Sequence, residues 1–377
     1  MIRYMTAGES HGKGIMAILD GMPAGLKIDE NFVNWELRRR MHGYGRGGRM
    51  AIESDTAEIM SGLHKGLTIG SPIGIFVRNK DHKIDELPPL KCPRPGHADL
   101  AGIQKYGFKD ARSVLERASA RETAGRVAAG AVAKIFLKEF GIRILSHVTM
   151  IGGVYADTKG LTFDDIRELS DVTRSEVRCA DKKAEKAMCG EIDKARENGD
   201  TLGGTVEVIV DKVPPGLGSY TQWDRRIDGN LARAVMSIQA VKAVSIGSGI
   251  ASSAKRGSEV HDPITYDKSE KIFSRSSNNS GGLEGGVTNG SEITIEIFMK
   301  PIATLTNPLE SVDIDTKEKK EASTERSDVT AVSACGVVAE AVVALEITSS
   351  FLEKFGGDSI REIRSNYDSY LEYLRSI

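Results

Sequence analysis

Apolar positions recur along this chain with two periods, and together they outline a protein of mixed helix and strand. Val206, Val208 and Val210 alternate within 204–213, and Ile293, Ile295 and Ile297 alternate within 291–299. Period two predicts strands with one apolar face. Pro214-Pro215 ends the first of these, because proline has no N–H to give a ladder. Residues 142–154, dominated by apolar and β-branched side chains, read as a third strand. Helical spacing governs other stretches. Residues 29–41 form a helix ending in three arginines, and 116–140 form an alanine-rich helix, with Val127, Ala131 and Ile135 on one stripe and Gly141 at its C-cap. Gly125 and Gly130 each cost that helix up to ~1 kcal/mol relative to alanine, which predicts another backbone packed close by. Residues 180–198 read as a charged, solvent-facing helix, 231–244 as a helix, 328–355 as a long apolar helix, and a polar helix follows from Ser359.

Two of these helices look alike. Glu116-Arg117-Ala118-Ser119 opens one that finishes Lys138-Glu139-Phe140-Gly141, and Glu325-Arg326-Ser327-Asp328 opens one that finishes Glu353-Lys354-Phe355-Gly356. Internal duplication and chance similarity both account for this. Both helices carry too little charge to stand in water and need apolar partners on most sides. Helices buried between sheets satisfy that need, and one-faced alternating strands favour antiparallel pairing. The expected class is α+β: a β-α-β sandwich with a central layer of long helices between antiparallel sheets. Residues 1–377 are expected to form a single domain with long glycine-rich and basic loops.

The formal net charge of −2 over 377 residues gives no reason to expect a nucleic-acid or membrane partner. No stretch is expected to reach the ~20 apolar residues of a membrane helix. Cys92, Cys179, Cys189 and Cys335 form no C-x-x-C pair. Neither a zinc site nor a disulfide framework is therefore indicated, no metal is expected, and free thiols fit a reducing cytoplasm.

Five loops carry candidate chemistry. Gly8-Glu9-Ser10-His11-Gly12-Lys13-Gly14 fails the spacing of a phosphate-binding P-loop. It leaves His11 sterically open, either to give a proton to a phosphate oxygen or simply to bond within a turn. Arg38 to Arg49 gathers five arginines around Gly43, Gly45, Gly47 and Gly48. This suits a polyanionic small molecule, while an RNA contact and a solvated basic face are the alternatives. Arg94-Pro95-Gly96-His97-Ala98-Asp99 presents arginine and histidine from a rigid turn. Residues 276–290 are so rich in glycine that either a ligand approaches the backbone or the stretch is a linker. Lys300-Pro301-Ile302-Ala303-Thr304 leaves a strand and leads into a charged flap that ends near Arg326 and Asp328. Asp328 reads locally as a helix N-cap.

Taken in order, Gly-Glu-Ser-His-Gly, Gly-Tyr-Gly-Arg-Gly, Arg-Pro-Gly-His-Ala-Asp, Glu-Arg-x-Ser-Ala-Arg-Glu-Thr, Ser-Ile-Gln-Ala-Val-Lys and Gly-Gly-x-Thr-Asn-Gly resemble the chorismate synthase family. The resemblance runs from Gly8 past Asp328. It implies elimination of phosphate from 5-enolpyruvylshikimate 3-phosphate, a requirement for reduced FMN without net oxidation, a sheet–helix–sheet subunit and a homotetramer. It places the phosphate-side histidine on His11, the flavin-side histidine on His97 and the carboxylate assisting proton removal on Asp328. FMN contacts fall on Arg117, Ala118, Ser119, Gln239, Ala240, Gly285, Lys300, Pro301, Ile302, Ala303, Thr304 and Arg326. Arg40 and Arg46 fall where NADP or substrate anions are bound. No segment looks dedicated to NADPH, so a separate flavin reductase is expected, with NADPH as a reductant of the flavin. An oxidoreductase that consumes NADPH is the competing enzyme reading. Many relatives carry Arg-His-Asp-Pro-Cys where this chain has Arg326-Ser327-Asp328-Val329-Thr330.

Overall fold

Ile15, Ala17 and Leu19 are buried while Met16 and Ile18 between them are exposed, so the first strands have one apolar face and must cover it. A computed structural model describes residues 2–47, 54–171, 173–325 and 327–377. Its principal strands are β1 (Arg3–Ala7), β2 (Gly14–Asp20), β3 (Ala57–Ile59), β4 (Ile73–Arg78), β5 (Arg143–Ile151), β6 (Val154–Tyr155), β7 (Gly204–Asp211), β8 (Val241–Ile246) and β9 (Ile293–Met299). Its principal helices are α1 (Glu30–Met41), α2 (Asp99–Tyr106), α3 (Arg112–Ala118), α4 (Thr123–Glu139), α5 (Phe163–Leu169), α6 (Lys182–Glu197), α7 (Ile227–Met236), α8 (Val332–Phe355) and α9 (Ile360–Leu374). One sheet has the order β1-β2-β4-β3 and the other β8-β9-β7-β5-β6, with every neighbouring pair antiparallel. The class is α+β.

Helix α4 packs on β2 and β4, α8 packs on β5 and β7, and the two helices pack on each other. They run parallel, since Phe136 and Phe140 near the end of α4 meet Phe351 near the end of α8 at 5.6 and 4.6 Å between ring centroids. The expectation that no stretch reaches membrane length is corrected here. Val332–Phe355 is long and apolar enough, but it is mostly buried among α4, α7 and the second sheet, as a core helix is. Glu340 at its centre is fully buried and accepts from Arg39 at 2.7 and 2.8 Å, from Arg178 at 2.9 Å, from Ser146 at 2.6 Å and from Lys134. A buried carboxylate persists only with such partners, and this one ties α1, α4, α8 and β5 together.

Gly130 answers the question raised by the sequence. A Cβ there would sit 2.5 Å from the Ala341 Cα and 2.7 Å from its carbonyl oxygen, so the α4–α8 approach requires glycine. Gly130→Ala is expected to destabilise by roughly 1–3 kcal/mol, because overpacking exceeds the gain in helix propensity. A thermal melt should fall by several degrees, and an unchanged Tm would mean the helices can part without cost.

Two small hairpins outside the two sheets, Leu63–Thr68 and Leu283–Thr288, share local detail. Thr68 Oγ1 donates to Pro23 O at 2.6 Å and accepts from the Leu26 N–H at 2.9 Å. Thr288 Oγ1 donates to Pro214 O at 2.7 Å and accepts from the Leu217 N–H at 2.8 Å. Each threonine closes a tight hairpin, turned by Lys65-Gly66 in one half and Gly285-Gly286 in the other, all four at positive φ. The glycine-rich segment 276–290 is therefore not a linker. Its Gly285 meets no atom within 4 Å of a built Cβ, so turn geometry, rather than backbone approach to a neighbour, accounts for that glycine.

Several boundaries differ from those expected. The helix expected over 116–140 breaks at Ser119, whose hydroxyl accepts from the Arg121 N–H and caps a short 3-10 turn before α4. Residues 231–244 divide into the end of α7 and strand β8. The strand over 142–154 is cut by Gly152 and Gly153, both at positive φ. Helix α6 is only half solvated, because Ala184, Met188 and Ile192 are buried. The charged flap forms a hairpin, with Glu310–Val312 paired to Lys319–Glu321.

Candidate active site

The N-terminal ends of α4 and α8 open on one cavity of about 740 Å³. Ala120, Arg121 and Thr123 reach it from the first, and Asp328, Ala331 and Cys335 from the second. Two parallel helices beginning at one place direct two positive dipole ends there. His11, His97 and Asp328 all line this cavity, as do Arg40, Arg46, Ala118, Ser119, Gln239, Ala240, Lys300, Ile302, Ala303 and Thr304. Four of the five loops thus converge, although they lie far apart in sequence, while 276–290 contributes no residue to the lining.

Each histidine is gripped at Nδ1 by a buried carboxylate that the sequence reading left without a role. His11 Nδ1 lies 2.9 Å from Oε1 of Glu116, whose Oε2 accepts the His11 backbone N–H at 2.7 Å. Burial pushes the Glu116 carboxyl up, but hydrogen bonds from the His11 ring and backbone, helped by the Arg112 charge, bring it below its ordinary value. An ionised acceptor on Nδ1 fixes the tautomer and leaves proton transfer to Nε2. His97 Nδ1 lies 2.5 Å from Oδ1 of Asp99 and 3.0 Å from Nη2 of Arg94. The carboxylate contact is shorter and of the right polarity, so Nδ1 carries its hydrogen toward Asp99. Arg94 also holds Asp99 through Nε at 2.8 Å and Thr304 Oγ1 through Nη1 at 2.7 Å.

Burial raises the Asp99 carboxyl, yet hydrogen bonds from His97 and Arg94 and the Arg94 charge hold it well below the usual carboxylate range. A carboxylate depressed on folding adds stability that is complete above its unfolded value of about 3.9 and is lost as pH falls through the folded value. Asp99→Asn is therefore expected to lower stability by about 3–5 kcal/mol near neutrality, by leaving Arg94 buried without its counter-charge. Denaturant titrations of both proteins should show that gap constant above about pH 5 and narrowing below about pH 4. A gap that widens in acid would contradict the assignment.

Asp328 is not the helix cap that local sequence suggests, since α8 begins at Val332 with Ala331 before it. Its Oδ2 lies 2.7 Å from Nη1 of Arg46, and its Oδ1 accepts the Gly47 N–H at 2.6 Å. Of the basic loop's arginines among the described residues, only Arg40 and Arg46 line the cavity. Arg38 stacks on Trp35, Arg39 is spent on Glu36 and Glu340, and Arg49 lies outside the described residues. The buried carboxylate of Asp55 serves both Arg40, at 2.7 Å, and Arg121, at 2.6 Å. Two guanidiniums on one carboxylate leave an excess positive charge beside the cavity. Arg94, presented by its rigid turn as the sequence suggested, and Arg121, which the sequence left without a role, line it too.

Three expected contacts stand outside the lining. Arg117 is exposed and donates to Thr6 O at 3.0 Å and Gly8 O at 3.2 Å. Pro301 and the hairpin-turn Gly285 do not line the cavity. Arg326 lies outside the described residues. The lining also has apolar members, Leu115, Ile238, Met299, Ile302, Ala334 and Val338. With them Cys335, its thiol pushed up to about 12 by burial, acts as packing. Ala240, at φ +67, is a non-glycine residue in a strained conformation at this site.

Known proteins resemble this chain along its whole length. The profile of the family described as chorismate synthase matches residues 2–352. The chain is 53% identical to the chorismate synthase of Geobacter metallireducens, over 100% of both chains. It is 54% identical to that of Carboxydothermus hydrogenoformans, over 99% of both. A solved structure described as a crystal structure of chorismate synthase superposes with a TM-score of 0.82 at 42% identity, covering 100% of this chain and 99% of the other. With a profile spanning most of its length and relatives above half identity end to end, the chain belongs to the chorismate synthase family.

Proposed function

We propose that this protein is a lyase that eliminates phosphate from 5-enolpyruvylshikimate 3-phosphate to give chorismate, with reduced FMN in the same cavity and no net redox change. The observation that carries this reading is the meeting of His11, His97 and Asp328 in one cavity with Arg40 and Arg46. The cavity falls within the ~300–1,000 Å³ typical of small-molecule sites. Its apolar lining residues suit a flat ring, and its arginines suit a phosphate and carboxylates. Gln239 Oε1, Arg40 Nε and Arg121 Nη2 are buried without partners among the described residues. Such orphans cost about 1–3 kcal/mol each, which a bound polar ligand would offset. The residues present therefore fit the flavin and the substrate.

When bound in this cavity, reduced FMN would supply the electron density that C–O cleavage needs without net oxidation. The protein does the rest. His11 gives its Nε2 proton to the departing phosphate, with Nδ1 held by Glu116. His97, fixed by Asp99, sets the protonation at the flavin side. The Asp328 carboxylate assists removal of the ring proton, and Arg40, Arg46 and Arg121 bind the anionic groups. Ala118, Ser119, Gln239, Ala240, Lys300, Ile302, Ala303 and Thr304 are read as flavin contacts. Arg117, Pro301, Gly285 and Arg326 keep that role by resemblance alone.

NADPH is read only as the outside reductant, acting through a separate flavin reductase in the cytoplasm. The subunit is read as a duplicated β-α-β sandwich, supported by the matched threonine-latched hairpins. A homotetramer is read from the resemblance alone, and exposed Met5, Met16 and Ile18 on the outer face of the first sheet form an apolar patch that a subunit contact would cover. The test is an anaerobic assay with the enolpyruvyl ester and photoreduced FMN, following chorismate absorbance. Turnover with catalytic reduced FMN and no NADPH is expected. Product formed mole for mole with NADPH consumed would replace this reading with an oxidoreductase.

A further inference from the structure

We infer that Asn79 is a positioning residue that sets the His11 main chain against Arg121. The loop carrying His11 has glycine at 8, 12 and 14 and would wander without outside ties. Asn79 directly follows β4 and is 1% exposed. Its Nδ2 lies 3.1 Å from Glu9 O, 3.1 Å from Ser10 O and 2.8 Å from Gly12 O, so its two hydrogens serve three carbonyls on both sides of His11. Its backbone N–H donates to Lys13 O at 3.1 Å. Its Oδ1 accepts from Arg121 Nε at 2.8 Å, and Arg121 carries Asp55 and, through it, Arg40.

Glu116 fixes the imidazole and takes the Ser10 and His11 N–H groups, and the Ile84 N–H holds the His11 carbonyl. The Asn79 amide is what gathers the carbonyls of Glu9, Ser10 and Gly12, of which Glu9 O also accepts from the Gly12 N–H. Only a side-chain amide of this length both donates twice and accepts. Asn79 does not itself line the cavity, so it acts through His11 and Arg121. The inference rests on the reading of His11 as the proton donor.

Asn79→Asp keeps the acceptor for Arg121 and turns the donors into an oxygen facing three carbonyls, so it releases the loop while sparing the guanidinium. Displacing an acid by ~1 Å costs on the order of 10²-fold. Steady-state assays with saturating reduced FMN should show kcat of Asn79→Asp down by about that factor, with KM changed less than about twofold and the low-to-neutral pH limb of kcat displaced. In a His11→Ala background the same change should cost less than about twofold, because a residue acting through His11 has nothing left to position. Crystals of the variant should show the loop moved and the His11–Glu116 contact broken. Asn79→Ala, read the same way, replaces Asn79→Asp if the latter fails to fold, with KM then rising as Arg121 loosens. Wild-type kcat and pH profile, an unmoved loop, or an equal loss with and without His11 would each overturn the inference. If His11→Ala alone were fully active while the loop still moved in Asn79→Asp, the acid reading would fall and the bracing would stand.

Discussion

His11→Ala should lose about 10²–10⁴-fold in kcat, the usual worth of a positioned general acid, while the protein stays folded. The imidazole is only partly buried and sits on a loop outside both sheets, so its removal opens no core cavity. Its loss strands the Glu116 carboxylate, which keeps the His11 backbone N–H at 2.7 Å and the nearby Arg112 guanidinium. Stability should therefore change little, and the defect should appear in turnover rather than in expression or melting temperature. The substrate phosphate must leave as a poor leaving group unless its oxygen is protonated or its charge offset. KM should move less than kcat, because the anion contacts of Arg40, Arg46 and Arg121 remain. Glu116→Gln should lose part of the same factor, since a neutral amide no longer enforces the tautomer with hydrogen on Nδ1. Near-wild-type turnover of folded His11→Ala at saturating reduced FMN would remove His11 from the chemistry.

Asp328→Asn is the second large effect, again about 10²–10⁴-fold in kcat, but with a different signature. The amide oxygen can still accept the Gly47 N–H, so the local chain should hold its course. What disappears is the basic oxygen and the charge facing Arg46. Arg46 loses the partner that aims it, so KM should rise together with the fall in kcat. That rise should grow with salt, because ions screen the attraction between the Arg46 guanidinium and the substrate anion. Arg46→Lys offers the contrast: the charge survives and the planar fork does not, so KM should rise with a smaller loss in kcat. Unchanged kcat in Asp328→Asn would place the proton acceptor elsewhere in the cavity.

The strands at Gly204–Asp211 and Ile293–Met299 were legible because period two is written in their side chains. The starts of α1 and α9 were legible because Asp29 and Ser359 are capping residues that do cap. The first sheet was readable too, in the alternation of Ile73, Ile75 and Val77, and in the kinship of 62–71 with 282–291, which a search for repeats at long spacing would have found. Glu116 and Asp99 were not readable as histidine partners. Glu116 lies 105 residues from His11, and nothing in its own neighbours says which side chain will fold against it. Arg39 and Arg40 are adjacent in sequence and chemically alike, yet one is spent in a buried network and the other faces the cavity.

Local chemistry thus determined which elements form and which loops hold reactive side chains, because periodicity, capping and residue type act over a few neighbours. It also fixed the family, through six short motifs in order. Tertiary structure alone decided that two parallel helices begin at one cavity, that Ser119 interrupts the first of them there, and which arginines remain to meet an anion. Those outcomes depend on contacts between residues 66, 105 and 301 apart, Arg121–Asp55, His11–Glu116 and Arg39–Glu340, whose partners are chosen by packing rather than by any local pattern.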